Sequence, residues 1–232
     1  MRILAFETSA KAASVALLQD GNLLGEYYQN NGQTHSRTLM QMAEDLLQNC
    51  DLGAKDVDAV AVAAGPGSFT GVRIGVAAAK GFAWGRELPC YGVSTLEGMA
   101  QTFCHLDGVI CAAMDARRSQ VYNALFLAKN GTVTRITEDR AISLQELGAE
   151  LQQQNGKKYL VGDGAALCYN TLSGQVGDLC LIPEHMRMQR ASGVALVAAQ
   201  MAAQGLKPSG GELIPNYLRL SQAEREKAER NQ

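Results

Sequence analysis

No apolar run in this 232-residue chain approaches the roughly 20 residues that a bilayer-spanning helix requires. A secretory leader is not expected either, because Glu7 and Lys11 interrupt the apolar start at residues 3–6. Charge of one sign is missing too: 21 Lys+Arg against 23 Asp+Glu leave a net −2, without the basic excess of a dedicated nucleic-acid clamp. If RNA is involved, a partner is expected to supply most of the positive surface. The six cysteines form no C-x-x-C pair, which in a chain this long suits the buried thiols of a reducing cytoplasm.

Catalytic signatures are equally sparse. His35, His105 and His185 are scattered, with no H-x-x-x-H or H-E-x-x-H pair to hold a metal. The glycine-rich loop at 65–71 lacks the Gly-Lys-Ser/Thr of a P-loop. Ser68 and Ser94 both fail the G-x-S-x-G nucleophile pattern. What remains, at 47% hydrophobic and 19% charged residues, is an ordinary globule long enough for one large or two small domains.

Hydrophobic patterning then shows a plan and its repetition. Strands are expected at 3–6, 13–18 and 23–28, with Asp20-Gly21 as a hairpin turn. A helix over 34–50, a strand over 57–64, a helix over 70–84, a strand over 88–93 and a helix over 95–103 follow. The pattern restarts with a buried strand at 109–114, an extended run at 120–127, the turn Asn130-Gly131 and a strand at 132–136. Asp115 ends the restarting strand as Glu7 ends the first. Strands alternating with helices in two such copies predict an α/β protein of two duplicated lobes, 1–105 and 106–232. Shorter helices and more frequent turns make the second lobe the smaller, with helices expected near 143–154 and 192–204. The end of the chain is charged, with Ser221-Gln-Ala-Glu224 as a capping box before a solvated helix or docking tail.

Several features admit two readings. Gly65, Gly67, Ser68 and Thr70 lie between a strand and a helix N-terminus, a place that can hold phosphate or merely allow a tight turn. Gly71, Gly75, Ala77, Ala78, Ala79 and Gly81 leave the following helix almost bare, which suits close packing of another backbone, of this chain or another. On the preceding helix Leu39, Met42, Ala43, Leu46 and Cys50 form one stripe that Met40 and Leu47 widen. That arc is either a broad core face or an exposed platform for a partner. Glu7 and Asp115 either meet in an interlobe cleft and hold Mg²⁺ with a nucleotide, or only cap their strands.

Gly65-Pro-Gly-Ser-Phe-Thr-Gly-Val-Arg-Ile-Gly75 and Leu88-Pro-Cys-Tyr-Gly-Val-Ser-Thr-Leu96 closely resemble the TsaB (YeaZ) family. Ile3-Leu-Ala-Phe-Glu-Thr-Ser9, Met114-Asp-Ala-Arg117 and Pro215-Asn-Tyr-Leu-Arg219 extend the resemblance over nearly the whole chain. It implies two ribonuclease-H-like lobes of the actin/sugar-kinase/Hsp70 (ASKHA) superfamily, the second reduced. It also implies a role in bacterial synthesis of tRNA threonylcarbamoyladenosine from the adenylate donor made by TsaC. The family's partners are the paralogous transferase TsaD and the ATPase TsaE, with tRNA reached through that complex. A homodimer is implied for the isolated chain.

A residue-level comparison with TsaD sharpens this. The metal-binding Gly-Val-Asn-His-Met-Glu-Gly/Ala-His of TsaD matches Gly92-Val-Ser-Thr-Leu-Glu-Gly-Met99, so Thr95 and Met99 stand where its histidines are. A hydroxyl and a thioether are poor ligands for a divalent ion in an N/O site, so no metal is expected. Gly162-Asp-Gly-Ala165 falls where superfamily members contact adenosine, with Asp163 departing from a Gly-Gly pattern. The resemblance thus implies a non-catalytic subunit needing no cofactor of its own, with ATP or ADP and Mg²⁺ only in the complex. Its pairing surface would comprise Leu39, Met40, Met42, Leu46, Leu47, Gly71, Arg73, Ile74, Gly75, Ala78 and Phe82. The alternative is a free-standing ATP/Mg-dependent enzyme using Glu7 and Asp115. A peptidase, an older naming of these relatives, has neither a metal pair nor a nucleophile–base motif behind it.

Overall fold

The computed structural model describes residues 1–206, 208 and 212–219; the expected capping box at 221–224 lies outside them. The first half runs β1 (Arg2–Glu7), β2 (Ala13–Gln19), β3 (Asn22–Gln29), α1 (His35–Asn49), β4 (Ala59–Gly65), α2 (Phe69–Trp84), β5 (Cys90–Ser94) and α3 (Thr95–Gln101). The second begins with β6 (Gly108–Asp115), β7 (Gln120–Lys129), β8 (Thr132–Arg135) and β9 (Arg140–Ser143). It continues with α4 (Leu144–Gln153), β10 (Lys158–Val161), α5 (Ala165–Leu172), β11 (Leu179–Leu181), α6 (Glu184–Arg187) and α7 (Ala191–Ala203).

The strand orders carry the duplication. One sheet reads β3-β2-β1-β4-β5 and the other β8-β7-β6-β10-β11, with the extra strand β9 paired to β7. In each, two antiparallel hairpin partners lie on one side of the leading strand and two parallel strands on the other. Both hairpin turns have two consecutive residues in the left-handed region: Asp20 and Gly21 at φ 50° and 84°, Asn130 and Gly131 at 52° and 76°. This is the primed-turn geometry whose twist matches that of the strands, and Asx-Gly adopts it with least strain.

Alternation along the strands divides each sheet between two cores. Leu4 and Phe6 face α1 and α2, whereas Ile3 and Ala5 on the same strand face α7. Cys111 and Ala113 face α4 and α5, while Ile110, Ala112 and Met114 face Leu96 and Met99 of α3 and Phe103 just beyond it. The lobes have therefore exchanged their third helices. The helix expected at 192–204 packs on the first sheet. The two exchanged helices cross where a Cβ on Gly193 would overlap the carbonyl oxygen of Gly98. Only a glycine permits backbones this near.

A carboxylate from the first lobe fixes the start of α7. Glu26 on β3 accepts from the Ser192 N–H at 3.0 Å and from Ser14 Oγ at 2.9 Å, and pairs with Arg190 at 3.4 Å. A negative charge at a helix N-terminus meets unpaired N–H groups and the positive end of the dipole. The reduction of the second lobe lies in its outer helices, of 10 and 8 residues against 15 and 16 in the first. Its sheet is not smaller. The two short elements β9 and α6 carry no periodic signal of their own and were not expected.

Candidate functional site

A cleft of about 520 Å³ opens between the lobes, lined by the β1–β2 loop, the start of α2, the β6–β7 turn and residues 216–219. The two strand-end acids do not meet in it: Asp115 lines the cleft and Glu7 does not. Glu7 is buried, and burial pushes its carboxyl up to about 7 even though the Ser9 N–H donates to it at 2.6 Å. Asp163, half-buried and held by Gln189 at 2.6 Å, is also raised, chiefly by burial. Asp115 is exposed in the cleft wall and accepts from the Arg117 N–H at 2.7 Å. Among the described residues no three His, Cys, Asp or Glu side chains gather where they could hold a metal ion.

The glycine-rich loop is largely engaged within the chain. A Cβ on Gly65 would overlap the carbonyl oxygen of Asn216, and one on Gly67 that of Ser9. Ser68 donates its N–H to Ser9 at 2.6 Å, and its hydroxyl accepts from Gly71, capping α2 from within. Of the four, Ser68 and Thr70 stand exposed at the cleft, while Gly65 is buried and Gly67 half-buried.

Thr95 and Met99 lie one turn apart on α3, buried together. Met99 packs among Leu96, Phe103, Ile110 and Val161, with a Cβ on Gly162 only 3.0 Å from its sulfur. This apolar, thioether-bearing setting does not fit a divalent metal ion.

Burial divides the eleven residues of the expected pairing surface. Leu39, Met42, Leu46 and Leu47 belong to the core between α1 and the first sheet. The broad arc on α1 is thus a core face, widened because the helix meets both the sheet and α2. Gly71 and Gly75 are buried too: a Cβ on either would overlap the Thr8 carbonyl or hydroxyl oxygen, and Thr8 Oγ1 donates to the Gly71 carbonyl at 2.8 Å. The backbone approaching these glycines is the chain's own. Six of the eleven are therefore withdrawn from a partner surface.

Met40 and Arg73 remain exposed, and Ile74, Ala78 and Phe82 are half-buried at the edge of the core. Beside them lies a strip that the sequence reading left out of the pairing surface. Ala77, Gly81 and Trp84 are exposed, Trp84 by 80%, and a Cβ on Gly81 would meet nothing within 4 Å. The signal available was the chain's single tryptophan at the end of a helix of small residues.

Duplicated sheets of identical strand order, exchanged third helices and an interlobe cleft define a two-lobed protein of the actin/sugar-kinase/Hsp70 superfamily. Residues 25–227 match the family described as "TsaD: tRNA N6-adenosine threonylcarbamoyltransferase". A protein named "tRNA threonylcarbamoyladenosine biosynthesis protein TsaB" from Bacillus subtilis is 34% identical over 225 residues, 97% of this chain and 96% of its own length. Its Escherichia coli counterpart of the same name is 35% identical over 222 residues, 94% and 95% of the two chains. The solved structure of YeaZ from Pseudomonas aeruginosa superposes with a TM-score of 0.78 at 27% identity, covering 94% of this chain and 99% of that one. The chain belongs to the TsaB (YeaZ) family.

Proposed function

We propose that this protein acts in tRNA threonylcarbamoyladenosine biosynthesis as a non-catalytic subunit that pairs with a TsaD-type transferase. The observation that carries the reading is the bare outer strip of α2, where Arg73, Ala77, Gly81 and Trp84 recur at three- or four-residue spacing. A helix of small residues ending in an exposed tryptophan offers close backbone approach and one large anchor, the pattern of an interface centre. The names of the relatives supply the pathway, and the family model supplies the partner's class. Thr95 and Met99 support a role without metal chemistry. On this reading the chain needs no cofactor of its own, works in the cytoplasm with the tRNA machinery, and meets tRNA and TsaE only through the complex. The isolated chain would pair with itself through the same strip.

Reconstitution tests it. Modification of tRNA by the other components should need this protein, and Ala78→Glu should abolish co-purification with the transferase while the fold persists. A second reading, a free-standing ATP/Mg-dependent enzyme, draws on the cleft with Glu7 and Asp115. Turnover of ATP by the isolated protein, lost in Asp115→Asn, would favour it.

A further inference from the structure

Residues 213–219 cross the mouth of the cleft, touching both lobes. Their root is firm: Leu213 is buried in the first-lobe core, and the Asn216 N–H donates to the Ala64 carbonyl at 2.6 Å. Gly65 lacks the side chain that would collide with Asn216 there. The tip beyond Asn216 is held differently. The ring of Tyr217 stacks on Phe69 with centroids 4.6 Å apart, and Arg73 lies 3.7 Å from the Phe69 centroid while donating Nε to Tyr217 Oη at 2.7 Å. Across the gap, Arg219 donates to the Ala116 carbonyl at 2.8 Å, with Tyr122 beneath its guanidinium.

The turn that Arg219 grips is strained. Arg117, Arg118 and Ser119 stand consecutively in the left-handed region, at φ 60°, 56° and 55°. Non-glycine residues hold that conformation only where neighbours fix it, and such strain collects at clamps and switches. Tyr217, Leu218 and Arg219 all line the cleft, so withdrawing them removes one wall.

We infer that residues 217–219 form a latch that hinges at Asn216, tying the lip of α2 to the β6–β7 turn and controlling admission to the interlobe cleft. One aromatic stack, two side-chain hydrogen bonds and the cation–π contacts of Arg73 with Tyr217 and of Arg219 with Tyr122 hold it closed, without the buried side chain that anchors the root. Opening exposes Ser9 and the α2 N-terminus and lets the strained turn relax. The first sheet stays intact.

Hydrogen–deuterium exchange on the full chain tests this, comparing the parent with Tyr217→Ala, Tyr217→Phe and Arg219→Ala. Tyr217→Ala should speed exchange at both lips, residues 69–73 and 116–122, by about fivefold, the factor that loss of one aromatic pair implies. Arg219→Ala should act on 116–122 alone, and Tyr217→Phe should fall between parent and Tyr217→Ala. Protection of β4 should not change in any of them. Unaltered exchange at the lips in folded Tyr217→Ala overturns the latch. Loss of β4 protection in Tyr217→Phe also overturns it, since the tip would then be part of the core.

Discussion

The two lobes share a strand order and differ in what surrounds it. At the end of its leading strand the first carries a buried acid, Glu7, and the second an exposed one, Asp115. The first lobe keeps long outer helices, one of them with a bare outer strip, whereas the second has short ones and a strained turn at the cleft. A duplicated scaffold thus holds its topology through the alternating cores while its loops and outer faces diverge. In the first lobe the β1–β2 loop has been drawn under α2, closing by packing what the second lobe leaves open to solvent.

The largest effect should come at that seam. Gly75→Arg must displace Thr8 and Val62, so it should destabilise the first lobe by more than about 3 kcal/mol and leave little soluble protein. Gly81→Arg on the same helix meets open space and gains helix propensity, so its melting temperature should match or exceed the parent's. Equal stability of the two variants would erase the distinction between the inner and outer faces of α2.

Next comes the contrast between the two acids. Burial raises the Glu7 carboxyl from 4.5 to about 7, so the folded state binds the proton more tightly than the unfolded chain. Stability from this group is therefore full below pH ~4.5 and lost as pH rises towards 7. Glu7→Gln, which keeps an acceptor for the Ser9 N–H, should stabilise the protein by roughly 3 kcal/mol at pH 8 and by almost nothing at pH 4. Urea titrations at the two pH values read this directly. A flat pH dependence for Glu7→Gln would mean that its carboxylate is solvated.

Smaller effects probe what joins the lobes. Glu26→Ala should cost about 2 kcal/mol in thermal melts, because α7 loses its N-terminal carboxylate and Arg190 its partner. Arg135→Ala removes the bridge from the second lobe to Glu97 of α3, half-buried at 2.6 Å, and should cost about 1 kcal/mol, less in high salt. A salt-insensitive loss would point to the packing of Arg135 over Phe126 instead.

Much of this architecture was legible beforehand. The Asx-Gly turns, the consecutive apolar residues of β1 and β6 and the restart at residue 109 disclosed the duplication, since local turn chemistry and burial on both sheet faces agree there. Two things were hidden. The composition of α7, alanine on nearly every side, fits between a sheet and α3 and carries no stripe to say which sheet it covers. The arc on α1 admitted both a core face and an exposed platform because periodicity counts apolar width and cannot see that α2 lies alongside. For the same reason Gly71 and Gly75 could not say whose backbone they admit, which is that of Thr8. The latch at 217–219 rests on one aromatic stack, one tyrosine hydroxyl and one arginine, contacts without periodicity.

The central claim, that the outer strip of α2 is a pairing surface, is tested most directly by measuring the affinity of Gly81→Arg for the TsaD-type transferase alongside its melting temperature. The melting temperature should be unchanged or higher and binding weakened at least about a hundredfold, as loss of an interface centre implies. Parent-like affinity in a protein of parent-like stability would contradict it.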